Sequence, residues 1–273
     1  MSVLLMRLSG AMQSWGTKSR FYDRDTEDFP SKSGILGIIG AALGRDRAEN
    51  ISDLCGLNIG VRILTPGKLT YDYQVAGVDG FYRASGSVER KSAVPYTKHY
   101  IADADFLVGL EGDETLLKEI EQALKKPYYP LFLGRKSYVP NKPVYVINGF
   151  QTGISLYKSL RDFQYHSEID EQEIKRLKWE LFDSNIKIKI DFFDEAPEYI
   201  QTFIFDSEYM TSEREQEIGC SPVLITKLQD EPLNFLSRSY LIREIKMYRL
   251  KYNTETELNY LIPKEEGGSN VSE

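Results

Sequence analysis

Apolar and polar positions along this chain alternate with two different periods, and each change of period marks an element. Val3-Leu4-Leu5-Met6-Arg7-Leu8 is a short apolar run closed by Gly10, which has the length and punctuation of a buried strand. With period two, Leu4, Met6 and Leu8 share one sheet face and Val3, Leu5 and Arg7 the other. A polar loop holding Trp15 follows, and Pro30 breaks the chain before an apolar stretch from Gly34 to Leu43. Ser31 or Ser33 can cap the helix that begins near Gly34. Residues 58–64 predict a second strand, ended by Pro66-Gly67, and residues 104–110 a third. Leu116, Leu117, Ile120 and Leu124 recur at helical spacing within 114–125, and Pro127 stops that helix. Residues 143–147 supply a fourth strand. The order is βαββαβ, a ferredoxin-like or RRM pattern of the α+β class, over residues 1–150.

Between the second and third strands lies an insert, about 68–102, far longer than a hairpin needs. It carries Tyr71, Tyr73, Phe81, Tyr82, Tyr96 and Tyr100 among Arg83, Arg90, Lys91, Lys98 and His99. Aromatic faces interleaved with cations stack bases and neutralise phosphates; the competing reading is a loop with a small core of its own. Residues 151–264 form a smaller β-rich C-terminal region. There a charged stretch with Ile169, Ile174, Leu177 and Leu181 suits a surface helix, and Ile186-Lys187-Ile188-Lys189-Ile190 alternates as a half-exposed strand. Residues 199–205 and 240–252 read as β segments, and 265–273 as a disordered tail.

Two segments suit an anion. Gly34, Gly37, Gly40 and Gly44 fall within about a third of the circumference of a helix turning ~100° per residue, so that face can approach another backbone closely. The free amides at its start lie beside Ser31, Lys32 and Ser33, a favourable place for a phosphate. The order of glycines fits neither the dinucleotide fingerprint nor the Walker loop, and the apolar stretch is too short to span a bilayer. The second segment is Gly134-Arg135-Lys136-Ser137, a turn followed by basic and hydroxyl side chains. Trp15, between Gly10 and Gly16, either stacks on a base or plugs the core; its small neighbours favour the core.

The net charge of −7 argues against nonspecific coating of nucleic acid but not against a local basic groove. Cys55 and Cys220 stand far apart and indicate neither a disulfide framework nor a zinc site. Arg7 within a very short apolar run is not a secretory signal, and the chain reads as cytoplasmic, with no membrane contact.

Five segments in order resemble the CasD family, the subunits of type I-E CRISPR Cascade that hold the handle at the front of the guide RNA. They are Met12-Gln13-Ser14-Trp15-Gly16, Phe29-Pro30-Ser31-Lys32-Ser33-Gly34-Ile35-Leu36-Gly37, Thr97-Lys98-His99-Tyr100, Tyr129-Pro130-Leu131-Phe132-Leu133-Gly134-Arg135-Lys136-Ser137 and, late, Phe235-Leu236-Ser237-Arg238-Ser239-Tyr240. Residues 150–235 are longer than in the usual member. The resemblance implies a non-catalytic scaffold that binds the 5′ handle of the crRNA and caps the complex backbone, with the insert as a thumb. Its partners would be the crRNA, the Cascade backbone subunit and the large subunit, with target DNA met only through the complex. No cofactor or metal is implied. The RNA-binding residues expected on this basis are Gln13, Trp15, Ser31, Lys32, Ser33, Arg83, Arg90, Lys98, His99, Arg135, Lys136, Ser137 and Arg238. In type I-C systems a relative cuts precursor RNA with a Tyr, a Lys and a His. The alternative is therefore a metal-independent endoribonuclease using Tyr96, Lys98 and His99. Metal-free cleavage needs a base, an acid and a cation converging on one phosphate, whereas adjacent Lys98 and His99 point to opposite faces of an extended segment. A third reading is an RRM-like RNA-binding module outside CRISPR.

Overall fold

The computed structural model describes residues 2–18, 23–77, 80–83, 85–89, 93–163 and 199–252. Arg90, the helix expected around 169–181, the strand at 186–190 and the tail at 265–273 lie outside the described residues. Residues 1–162 with 202–248 make one compact unit, and the fold below is that of this unit. The second unit, 163–201 with 249–273, is described only at 163, 199–201 and 249–252.

In chain order the strands are β1 (Ser2–Gln13), β2 (Asp23–Arg24), β3 (Asn58–Thr65), β4 (Lys68–Ala76), β5 (Phe81–Tyr82), β6 (Val88–Glu89), β7 (Val94–Gly112), β8 (Tyr145–Thr152), β9 (Tyr199–Asp206), β10 (Leu224–Asn234) and β11 (Ser239–Tyr252). The described helices are α1 (Lys32–Leu43), α2 (Ser52–Cys55), α3 (Glu114–Lys125), α4 (Leu156–Asp162) and α5 (Ser212–Ile218). Nine strands make one sheet in the order β10-β11-β9-β3-β7-β1-β8, with β2 and β4 joined to β7 off that path. β5 and β6 form a separate two-stranded hairpin.

Three of the expected strands, β1, β3 and β7, centre the sheet, and the fourth, β8, flanks β1. β1 runs antiparallel to β7 with Leu4 opposite Leu110 and Leu8 opposite Phe106, and β3 runs antiparallel to β7 on its other side. Leu4, Met6 and Leu8 join Phe106, Val108, Leu110 and the apolar faces of α1 and α3 in one core. On the opposite face α4 covers the sheet, where Leu160 and Leu156 close over Gly60 and Gly109. Arg62 caps α4 by donating from Nη1 to the carbonyls of Leu160 (2.8 Å) and Arg161 (2.9 Å). Arg7, on that same face, is buried against Asp105, Nη2 to Oδ2 at 2.7 Å. Burial outweighs this pairing and holds the Asp105 carboxyl above its ordinary pKa.

The structure differs from the pattern in three places. The fourth strand runs Tyr145–Thr152 rather than over 143–147, since Pro143 has no amide to give a ladder, and its pairing with β1 shifts register between Leu4 and Met6, near Asn148 with its positive φ of 56°. The third strand is nineteen residues long, because the insert does not interrupt it; the second arm of the insert runs straight into it. Of the four helix glycines, only Gly34, against the Trp15 ring, and Gly44, against Tyr128, make a close approach. Positions 37 and 40 face open space within 4 Å.

Candidate nucleic-acid interface

The insert folds as a ribbon. β4 pairs antiparallel with the first half of β7, from Lys68 opposite Ala102 to Ala76 opposite Val94. β2 adds a short parallel bridge on the other edge, Asp23 to Thr97 and Arg24 to Lys98. β1 pairs with β7 as far as Ile101, and the ribbon extends beyond that point, close to Asp103 with its positive φ of 55°. Period two then sorts its side chains. Leu69, Tyr71, Tyr73 and Val75 occupy one face and are exposed, Tyr71 at 64% and Tyr73 at 61%. His99 stands opposite Tyr71 on this face, ring centroids 6.0 Å apart, and its Nε2 lies 3.1 Å from Asp23 Oδ1. The other face carries Tyr96, Lys98 and Tyr100. There Lys98 Nζ donates to Gln74 Oε1 at 2.8 Å and sits 4.9 Å from the Tyr96 ring centre. Tyr96 and Lys98 thus share a face, while His99 is on the opposite one, as adjacency requires.

The Gly134 loop packs at the root of this ribbon. Leu133 accepts a backbone hydrogen bond from the Ser14 amide (3.1 Å) and donates one to the Tyr138 carbonyl (2.7 Å). Gly134 has φ +87°, and a Cβ there would lie 1.7 Å from the Ser14 carbonyl oxygen, so only glycine fits. Arg135 donates from Nη1 to Tyr138 Oη (2.8 Å) and from Nη2 to the His99 carbonyl (2.9 Å) and the Arg24 carbonyl (3.4 Å). Ser14 Oγ reaches the same His99 carbonyl at 3.3 Å. Lys136 and Ser137 project outward and are exposed, as are Arg24 and Lys68 on the ribbon. Three of the segments singled out from sequence, around Ser14, His99 and Gly134, therefore meet at one place. Arg83 is exposed beside the β5–β6 hairpin, and Arg238 is exposed in the turn between β10 and β11.

The remaining candidates have internal contacts. Gln13 is fully buried, and its Nε2 donates to the carbonyls of Leu8 (3.1 Å) and Ala104 (2.7 Å). Trp15 is 1% exposed and seated in the core against α1. Ser31 caps α1, accepting from the Gly34 amide, and Ser33 is half-buried beside it, 3.4 Å between hydroxyls. Lys32 is buried, with Nζ 3.0 Å from Glu231 and 3.4 Å from Asp206. The anion at the helix N-terminus is the protein's own: Asp230 Oδ2 accepts from the Lys32 amide at 2.8 Å. Arg243 completes this buried cluster with a two-pronged grip on Asp230 (2.7 and 2.8 Å) and a contact to Asp206. Two cations and three carboxylates, drawn from α1, β9, β10 and β11, neutralise one another there.

Sequence reasoning had no signal for Asp23, Asp230 or Arg243, whose partners are distant in the chain. Tyr71 and Tyr73 stood within the aromatic insert, but only the register of β4 singles them out from its other rings. Among the described residues no group of three or more His, Cys, Asp or Glu side chains is placed to hold a metal ion. Among the same residues no helix is long and apolar enough to cross a membrane.

Residues 3–200 match the family described as CRISPR-associated protein (Cas_Cas5). The chain is 32% identical over 162 residues to the CRISPR system Cascade subunit CasD of Escherichia coli (strain K12), covering 53% of this chain and 70% of that protein. It is similar to a solved structure described as "Crystal structure of Cas protein", 32% identical, with 91% of this chain and 95% of the other covered and a TM-score of 0.61. It is also similar to a chain of a "CRISPR RNA-guided surveillance complex", 25% identical, with 91% and 90% covered and a TM-score of 0.65.

Proposed function

The chain belongs to the CRISPR-associated Cas5 family, and from that premise we propose that it is a non-catalytic subunit of a type I-E Cascade surveillance complex that grips the 5′ handle of the crRNA and caps the complex backbone. The observation that carries this reading is the exposed Tyr71–Tyr73 face of the ribbon, mounted beside the Gly134 loop with Lys136 and Ser137 turned to solvent. Exposed rings stack on bases without regard to sequence, and the lysines neutralise phosphates. The strand order β8-β1-β7-β3, antiparallel, with α1 and α3 in the core on one face, supports a ferredoxin-like domain over 1–150 with the ribbon as its thumb. Of the C-terminal region, the described strands β9, β10 and β11 extend the sheet beyond β3 and serve as an accessory. The chain works in the cytoplasm with the backbone and large subunits, and meets target DNA only through them.

The endoribonuclease reading is the weaker one, because Lys98 and Tyr96 turn away from His99 and Lys98 is engaged by Gln74. Two experiments test the choice. Tyr71→Ala with Tyr73→Ala should weaken single-stranded RNA binding by about 1–3 kcal/mol per stacked base while melting stays unchanged; unaltered affinity would refute the stacking face. The wild-type chain, incubated with labelled repeat RNA in EDTA, should give no specific product. A specific cut that disappears in His99→Ala would replace the scaffold reading with the nuclease.

A further inference from the structure

Arg135 has the residue type and the loop position of a phosphate ligand, yet its guanidinium is already engaged. One nitrogen donates to Tyr138 Oη at 2.8 Å, and the other is shared between the His99 carbonyl at 2.9 Å and the Arg24 carbonyl at 3.4 Å. Its planar group also lies over the Tyr138 ring, 5.4 Å from the centre. The acceptors come from three places: the Gly134 loop itself, β7 and β2. We infer that Arg135 is a positioning residue, which locks the loop to the root of the ribbon and leaves Lys136 and Ser137 turned to solvent for the RNA. This inference rests on the proposed RNA-binding role.

The mechanics follow from where the ribbon leaves the sheet. β1 stays paired with β7 as far as Ile101, and beyond that point the ribbon is β4 on β7 with β2 as a bridge of two residues. A two-stranded ribbon has little of its own to fix its angle to the domain. The His99 carbonyl lies two residues beyond the last β1 pair and accepts from both Arg135 and Ser14, the one side chain from the loop and the other from the residue that follows β1. Turning Arg135 outward to meet a phosphate would strip hydrogen bonds from two carbonyls at once. Lys136, exposed and next in sequence, reaches a phosphate without that loss. Lysine at position 135 would not substitute, because an ammonium lacks the planar fork that spans Tyr138 and His99 together.

The test uses the full chain, a fluorescein-labelled oligouridylate and a salt series. Lys136→Gln should reduce the slope of log affinity against log salt by about 0.7, the signature of one lost phosphate contact on a single strand. Arg135→Gln should weaken binding by about tenfold with the slope unchanged, and Arg135→Lys should behave like Arg135→Gln. Amide exchange supplies a readout that does not depend on RNA. In Arg135→Gln the amides of residues 97–101 should exchange about tenfold faster, while those of α3 stay protected. A slope reduced by about 0.7 in Arg135→Gln, with binding restored by Arg135→Lys, would make Arg135 a phosphate ligand and overturn the inference. Unchanged exchange at 97–101 would overturn it as well. If the wild-type chain binds no oligouridylate, the proposed function fails, and the exchange comparison still decides whether Arg135 braces the ribbon.

Discussion

Replacing Gly134 by alanine should dislodge the loop from the ribbon root. Two costs add. An L-residue at φ +87° is strained by about 1–2 kcal/mol relative to glycine. The new methyl would also start 1.7 Å from the Ser14 carbonyl oxygen, a backbone atom that cannot rotate aside, so the two segments must part by more than an ångström. That separation breaks the 3.1 Å hydrogen bond from the Ser14 amide to Leu133, a further loss of about 1 kcal/mol. The total is about 2–3 kcal/mol. Gly153 supplies the control, since its φ is +72° but no atom lies within 4 Å of its Cβ position. Gly153→Ala should therefore show the strain alone, about 1–2 kcal/mol. At about 2–4 °C per kcal/mol for a domain of this size, thermal melts of the two variants should separate clearly, with Gly134→Ala the lower. RNA affinity, measured by fluorescence anisotropy, should drop in Gly134→Ala and hold in Gly153→Ala. If both variants melt together and bind alike, the loop is not wedged against Ser14, and the account of the site fails with it.

Trp15→Ala should cost about 3–5 kcal/mol of stability by opening a cavity between the end of β1 and α1. A variant that is soluble, melts normally and fails to bind RNA would show instead that Trp15 contacts the strand. Asp230→Ala strands the buried Arg243 and the Lys32 amide, with an expected loss of about 3–5 kcal/mol by urea denaturation, whereas Asp230→Leu with Arg243→Met should recover the part due to the stranded guanidinium and not the part due to the Lys32 amide. A double variant no better than the single one would mean that the charges are not coupled. Acid should destabilise the fold through its paired surface carboxylates. The Arg45 hydrogen bond holds the Asp53 carboxyl below its ordinary pKa, and hydrogen bonds from Lys246 and Tyr248 do the same for Glu215. Their contribution is present above the unfolded values near 4 and is lost as pH falls through the depressed folded ones. Asp105 has the opposite sign: its folded pKa is raised, so it costs stability once ionised, and protonation removes that cost. The urea midpoint should therefore fall between pH 5 and 3, less steeply in Asp53→Asn and more steeply in Asp105→Asn. A slope identical in all three proteins would contradict these assignments.

The central sheet was legible because its signals are local. Period two in Val3–Leu8 set the two faces of β1, and the 116, 117, 120, 124 spacing set the buried stripe of α3, of which Leu117, Ile120 and Leu124 are fully enclosed. Elements that borrow their apolar cover from far away were not legible. β10 alternates poorly, with Leu224 and Ile225 both exposed and Asp230 buried. It is a strand because β11 pairs with it and because Lys32 and Arg243 neutralise its carboxylate. Arg243 lies 13 residues from Asp230 and Lys32 lies 198 away, and nothing in the local pattern pairs either of them with it.

The same asymmetry explains why one of two anion-binding segments turned inward. A helix N-terminus and a basic loop each advertise affinity for negative charge, and neither reveals whether that charge comes from a ligand or from the protein. At α1 the answer is internal, since Asp230 takes the free amide, and Asp206 and Glu231 take the Lys32 ammonium. At the Gly134 loop the first basic residue is used internally, while the second is left outside. The difference lies in the acceptors. The carbonyls of His99 and Arg24 carry no charge, so satisfying them with a guanidinium leaves the loop's positive charge uncancelled, whereas three carboxylates against two cations at α1 leave no positive surplus. Uncancelled positive charge, which the proposed RNA contact requires, therefore survives at residues 134–137 and is consumed internally at residues 31–33, although the two sequences advertise affinity for an anion about equally.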